Sequence, residues 1–323
     1  MHRTFAILAA IALTTISVTS ACFAHINDGI HFTLLPSGSG DRVQLSLRTG
    51  KDRRNHVMSS SFAVSELAGV DAARLRAGGS GPVRFALIRE AGRVDCAGNA
   101  SRGEASGSCR FTENRAFSDL LVARGMQRPD LDEAYGLTMV GATRGLLDAL
   151  HQQRYPMPKV GDYIAMTAVG VTPRYVRELA AAGYRPDDSK RLIEFAALDV
   201  TPQYLGEMAR AGYANLPQNR VVELAALKID AQFIRGFERV GYRNVPVDTL
   251  VQFKALDITP EFIAGFARLG YRNLPVDRLV ELKALGVTPQ YVRELEAQGI
   301  KAPSASQLVK LRAIGFEPDR RRR

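Results

Sequence analysis

Asp130-Leu131-Asp132-Glu133 puts three carboxylates into four residues, a composition suited to metal binding or acid–base work. The spacing also has a plainer use. Asp130 with Glu133, like Ser304 with Gln307, matches the reciprocal capping pattern at the start of a helix. Asp187-Asp188 reads the same way. His25 is a second chemical candidate. If a leader is removed after Ala24, His25 becomes the first residue, and its amine and ring would chelate copper with His31 or His56. Cys96 and Cys109 stand thirteen residues apart, a spacing that fits a disulfide in an exported chain. No further Cys or His lies at metal-ligand spacing beside them, and no nucleophile–His–acid set, HExxH motif or phosphate-binding glycine loop is found. The reading is therefore non-enzymatic, with no cofactor.

These residues are carried by two kinds of segment. Over residues 25–112, Val43, Leu45 and Leu47 alternate with polar residues, as do Val83, Phe85 and Leu87. Period-two alternation marks half-buried strands. Five or six short strands are expected, around 32–35, 42–49, 59–64, 83–89, 93–97 and 108–112. Ser37–Gly40, Gly78–Gly81 and Gly103–Gly107 are read as turns between them, with a helical turn near Asp71–Arg76.

From residue 113 the chain repeats every 29 residues. Val171-Thr172-Pro173 recurs as Val200-Thr201-Pro202, Ile229-Asp230-Ala231, Ile258-Thr259-Pro260 and Val287-Thr288-Pro289. Gly183-Tyr184 recurs in the same register as Gly212-Tyr213, Gly241-Tyr242, Gly270-Tyr271 and Gly299-Ile300. Two worn copies precede these, so seven units span 113–315, followed by a fragment and the basic tail Arg320–Arg323. Each unit reads as a helical hairpin: Thr caps the first helix, Pro takes its first position, and Gly ends it. Helices this short need neighbours, and regular stacking of such hairpins makes an α-solenoid, expected here as an elongated, curved rod. The fold class is α+β: a small antiparallel β domain followed by an α-solenoid of 29-residue hairpins.

Within the array, Gly236 and Gly265 stand where sister units carry Glu178, Glu207 and Glu294. A glycine there is expected to interrupt the first helix and let a neighbouring unit or a partner approach closely. The groove so formed, with Arg235, Tyr242 and Tyr271, is the candidate binding site. The repeated tyrosines serve either as an aromatic ladder for a ligand or as staples between units. Arg191 with Glu194, Arg220 with Glu223, and Arg278 with Glu281 read as surface pairs.

Charge and targeting bound the partner. The net charge is +10, which favours anionic partners. Residues 25–112 hold twelve basic against eight acidic residues, and 113–323 hold thirty against twenty-five. So even an excess is a solubility setting rather than a nucleic-acid footprint. Phe5–Val18 after Arg3 reads as the apolar core of a signal peptide over residues 1–24, cut after Ala24 or Ala21. Ser20-Ala21-Cys22 resembles a lipoprotein signal except at Thr19, so Cys22 offers a lipid anchor and the sole membrane contact. Export to the periplasm or beyond is expected.

The units, typified by Gly286-Val287-Thr288-Pro289-Gln290-Tyr291-Val292-Arg293-Glu294-Leu295, resemble a repeat of bacterial exported proteins that also occurs beside antibiotic-sensing zinc metallopeptidases of the BlaR/MecR type. Phe85–Phe117, with Arg89-Glu90-Ala91-Gly92, is similar to the β segment that often precedes those repeats. The resemblance covers about 230 of the 323 residues. It implies a sensing or scaffold context and supplies no catalytic residue, because the peptidase motif is missing. The leading expectation is a protein-interaction scaffold in the cell envelope. The alternatives are a periplasmic small-ligand or copper sensor using the β domain, and a polyanion binder.

Overall fold

The computed structural model describes residues 29–38, 40–50 and 56–318. The signal segment, Cys22, His25 and the arginine tail lie outside them. The chain forms two compact units that divide between Ala197 and Leu198.

The first unit opens with seven strands: β1 (Ile30–Pro36), β2 (Arg42–Thr49), β3 (His56–Ala63), β4 (Leu67–Ala68), β5 (Gly81–Arg89), β6 (Gly92–Ser101) and β7 (Glu104–Glu113). They make one antiparallel sheet in the order β3-β2-β1-β7-β6-β5-β4. β3 and β4 are its two edges, yet only the 3-10 turn Val64–Glu66 separates them in sequence. Three residues reach roughly 10 Å at most, so the edges lie near each other and the sheet is curled on itself. The inward residues of each strand fill the curl: Ile30, Phe32 and Leu34 meet Val43, Leu45, Leu47, Phe85, Leu87 and Val94. Phe32 and Phe85, on strands that are not neighbours, pack edge to face across the interior at 5.0 Å. The helical turn expected after Asp71 is α1 (Ala72–Arg76), capped by the Asp71 carboxylate on the Arg74 amide at 2.9 Å.

Two sequence expectations need revision here. β4 was not anticipated, because two residues carry no periodicity. The Gly103–Gly107 stretch is also not a loop: the β6–β7 turn is confined to Arg102 and Gly103, both with positive φ, and Gly107 sits inside β7 opposite Gly98. The two backbones approach so closely that a β-carbon at Gly98 would stand 2.0 Å from the Ser106 carbonyl oxygen. Glycine here serves strand contact, not turning. Cys96 and Cys109 are direct partners on the same two strands and form the disulfide, with their Cα atoms 4.0 Å apart.

Six helices complete the first unit: α2 (Arg115–Ala123), α3 (Leu131–Val140), α4 (Arg144–Gln152), α5 (Val160–Ala168), α6 (Pro173–Ala181) and α7 (Ser189–Ala197). Arg89-Glu90-Ala91-Gly92 joins them to the sheet. Arg89 donates to the last carbonyls of α3, at Thr138 (3.2 Å) and Met139 (2.5 Å), where a cation also complements the helix dipole. The Glu90 carboxylate accepts the Arg144 amide at the start of α4 (2.8 Å), and its carbonyl accepts the Asn114 side chain (2.8 Å). Gly92 leaves room for Phe111 and Thr138, each of which a β-carbon would meet at 2.7 Å. Tyr135 and Met139 of α3 enter the sheet core.

The second unit is four hairpins: α8 (Pro202–Arg210) with α9 (Gln218–Ala226), α10 (Ala231–Arg239) with α11 (Val247–Ala255), α12 (Pro260–Arg268) with α13 (Val276–Ala284), and α14 (Pro289–Ala297) with α15 (Ala305–Ala313). Thr201, Thr259 and Thr288 cap their first helices through the third amide, at 3.0–3.2 Å, and Asp230 does so at 2.7 Å. Gly212, Gly241, Gly270 and Gly299 end them in the left-handed conformation. Phe237, Leu250, Phe253, Ile258, Ile263 and Leu279 form a core continuous from one hairpin to the next.

Candidate interaction surface

The carboxylate clusters are caps. Asp130 accepts the Glu133 amide at 2.8 Å while Glu133 accepts the Asp130 amide at 3.0 Å. Asp188 accepts the Arg191 amide at 2.7 Å. Both sets sit at helix starts, where Asp130, Glu133 and Asp188 each accept a backbone amide. The Arg191–Glu194, Arg220–Glu223 and Arg278–Glu281 pairs form at 2.6 Å each. His31 lies on β1 opposite Arg48, while His56 pairs with Thr49, so the register puts the two histidines in different cross-strand rows.

Gly236 and Gly265 do not interrupt their helices: α10 and α12 run through both. Both glycines are buried, and the space where a side chain would stand holds the proline of the next unit. A β-carbon would lie 2.8 Å from Pro260 Cγ at Gly236 and 2.6 Å from Pro289 Cγ at Gly265. The close approach belongs to the neighbouring hairpin.

The tyrosines join the same hairpins. The Tyr213 hydroxyl donates to the Val245 carbonyl at 2.5 Å, and Tyr242 and Tyr271 donate to the equivalent carbonyls of Leu274 and Pro303. Each acceptor precedes or forms the turn of the following unit. Burial raises the pKa of all three phenols, with Glu238 adding to the shift at Tyr213 and Glu296 at Tyr271. A second series, one turn into the first helix, ties Tyr204 to the Ile229 carbonyl (3.0 Å) and Tyr291 to that of Phe316 (2.9 Å). Where this position is phenylalanine, a lysine covers the ring: Lys254 over Phe233 at 4.9 Å and Lys283 over Phe262 at 5.2 Å.

What remains on the outside is a division of charge that sequence reading missed. α8, α10, α12 and α14 neighbour one another in that order. Their outer stripe and the turns that follow expose Arg210, Arg235, Arg239, Arg243, Arg268, Arg272, Arg293 and Lys301. Among the described residues none of these eight is in an ion pair. Arg210 and Arg239 bond only to carbonyls of their own helices, and Arg293 to Gln290. The ion pairs of this unit lie instead on the second helices and their ends. Arg220 holds Glu223 and Asp248, Arg278 holds Glu281, Lys283 holds Asp257, and Arg312 holds Glu317. The two faces thus differ in kind: the second-helix face is largely self-neutralised, and the first-helix face keeps unpaired guanidinium groups. The signal was present in the sequence as Arg210, Arg239 and Arg268, and as Arg243, Arg272 and Lys301, each at 29-residue steps.

Among the described residues no helix is long and apolar enough to cross a membrane. The chain matches no protein-family model, no curated protein and no solved structure.

Proposed function

We propose that the protein is a non-enzymatic interaction scaffold of the bacterial cell envelope, and that the first-helix face of the hairpins from Leu198 onward docks an acidic protein surface. The observation that carries this reading is the row of eight exposed cations without ion pairs, set beside a face whose cations are mostly paired. Neighbouring helices pack about 8–10 Å apart, so cations repeated once per unit stand at a spacing that surface carboxylates of a folded partner match. Glu261 is exposed on the same face, and Glu238 and Glu296 are half-buried. That interleaving of sign favours a protein surface over a uniform polyanion, which would meet repulsion at each acid. Export through residues 1–24 is part of the reading, supported by the Cys96–Cys109 bridge, since such bridges persist in oxidising compartments.

The test is retention of envelope proteins on the immobilised full chain, eluted by a salt gradient. An acidic protein released between low and physiological-to-moderate salt supports the reading. A partner held through high salt, or one of basic charge, counts against it. Release of nucleic acid or an acidic polysaccharide would move the protein to the polyanion class.

A further inference from the structure

The outer face of the sheet carries a feature the scaffold reading does not use. Two adjacent cross-strand rows run over β7, β1 and β2: Ser108, His31 and Arg48 in one, Ser106, Thr33 and Ser46 in the other. These six residues line an open pocket of about 570 Å³. Inward partners such as Phe32 and Leu34 are buried beneath, so the pocket floor is held by the sheet core.

The lining is unusual in its chemistry. Among the described residues it holds one guanidinium, one imidazole and four hydroxyls beside Val57, and no carboxylate. Among the described residues Arg48, His31, Thr33, Ser106 and Ser108 make no side-chain hydrogen bond. Ser46 shares one with Ser59 at 2.8 Å. Arg42 and Arg93, elsewhere on the sheet, are by contrast engaged, with Ser61 and Asp95. Short serines and a threonine beside long Arg48 and His31 side chains leave a hollow lined by donors, with Val57 as its apolar side.

We infer that this pocket binds an oxyanion, and specifically a phosphate or phosphate monoester. The guanidinium fork matches two oxygens of such a group. The four hydroxyls add more donors than the two oxygens of a carboxylate accept, whereas a phosphate group has three or four oxygens. The site is independent of the cationic first-helix face: it lies in the other compact unit and rests on different residues.

The experiment is calorimetric titration of the full chain with inorganic phosphate at fixed ionic strength, with acetate in parallel. Three variants accompany it: Arg48→Ala in the pocket, Arg110→Ala on the outer face of β7 outside the pocket, and Arg239→Ala on α10. Circular dichroism melts establish that each variant is folded. The expected result is saturable phosphate binding that weakens about tenfold or more in Arg48→Ala. It should be unchanged in Arg110→Ala and Arg239→Ala, with acetate binding more weakly. If Arg48→Ala fails to fold, Ser108→Ala and His31→Gln serve in its place, with weakened phosphate binding expected in both. Absence of saturable binding, or equal affinity in the pocket variants, overturns the site. Loss confined to Arg239→Ala assigns the phosphate to the helical face and overturns it too. Acetate binding as tight as phosphate overturns the phosphate assignment.

Discussion

Gly236 on α10 faces the ring of Pro260 on α12, so closely that a β-carbon at position 236 would stand 2.8 Å from the proline Cγ. Gly265 and Pro289 repeat the relationship one unit on at 2.6 Å. Glycine ordinarily weakens a helix, and here it admits the start of the next one.

Gly206 on α8 provides the control, because a β-carbon there meets nothing within 4 Å. Gly206→Ala should stabilise the second unit by about 1 kcal/mol through helix propensity. Gly236→Ala gains the same propensity but must displace a ring, and should destabilise by about 1–2 kcal/mol net. Urea unfolding followed at 222 nm compares the two. A stabilised Gly236→Ala would show that the hairpins separate without cost.

Ala302 occupies the turn position held by Asn215, Asn244 and Asn273 in preceding units, and all four have positive φ, between 45° and 54°. Alanine is disfavoured there, while asparagine tolerates the left-handed region. Ala302→Asn should stabilise by about 0.5–1 kcal/mol, read as a raised melting temperature.

The buried phenols predict an alkaline limit. Burial is the first cause at Tyr155, whose pKa is pushed up to about 12, with Arg185 opposing it. Tyr135 and Tyr163 are raised further by burial. The unfolded chain releases these protons near pH 10. The folded chain therefore binds more protons above that pH, and stability must fall as pH rises from about 10 toward the raised values. Below pH 10 this contribution is fully present. Stability measured from pH 8 to 12 should hold to about pH 10 and fall above it, ahead of ionisation of the buried phenols in the folded protein, and Tyr155→Phe should flatten the decline.

Cys96 and Cys109 close a segment of 13 residues within the first unit. Replacing both with serine should destabilise that unit by about 2–3 kcal/mol. The loss should appear in the sheet's transition and spare the helices from Leu198 onward, a split that differential scanning calorimetry resolves.

Much of the architecture was legible because it depends on local chemistry repeated in register. Thr-Pro and Gly-Tyr each satisfy a backbone requirement at a helix end, so their 29-residue step located the helices from sequence alone. The alternation in β2 and β5 did the same for the sheet. What failed was long-range. Nothing local in Gly98 or Gly107 reveals that two backbones meet there. The binding groove expected at Gly236 is filled by Pro260, because an empty position in one unit is space for the next. The exposed cations were obscured for a different reason. Charge averaged over a long segment loses the face on which it lies, and only the hairpin geometry separates Arg239 and Arg268 from Arg220 and Arg278, whose charges are neutralised.

The central claim is that the first-helix face, not the second, recognises an acidic partner. The most direct measurement is capture of the envelope partner by three full-length baits. These are the natural sequence, a reversal of Arg210, Arg239 and Arg268 to glutamate, and a reversal of Asp248, Asp277 and Glu281 to lysine, with folding checked by circular dichroism. The account predicts the same acidic protein on the natural chain and on the second-helix variant, and its loss from the first-helix variant. Equal capture by the first-helix variant, or loss confined to the second-helix variant, would contradict it.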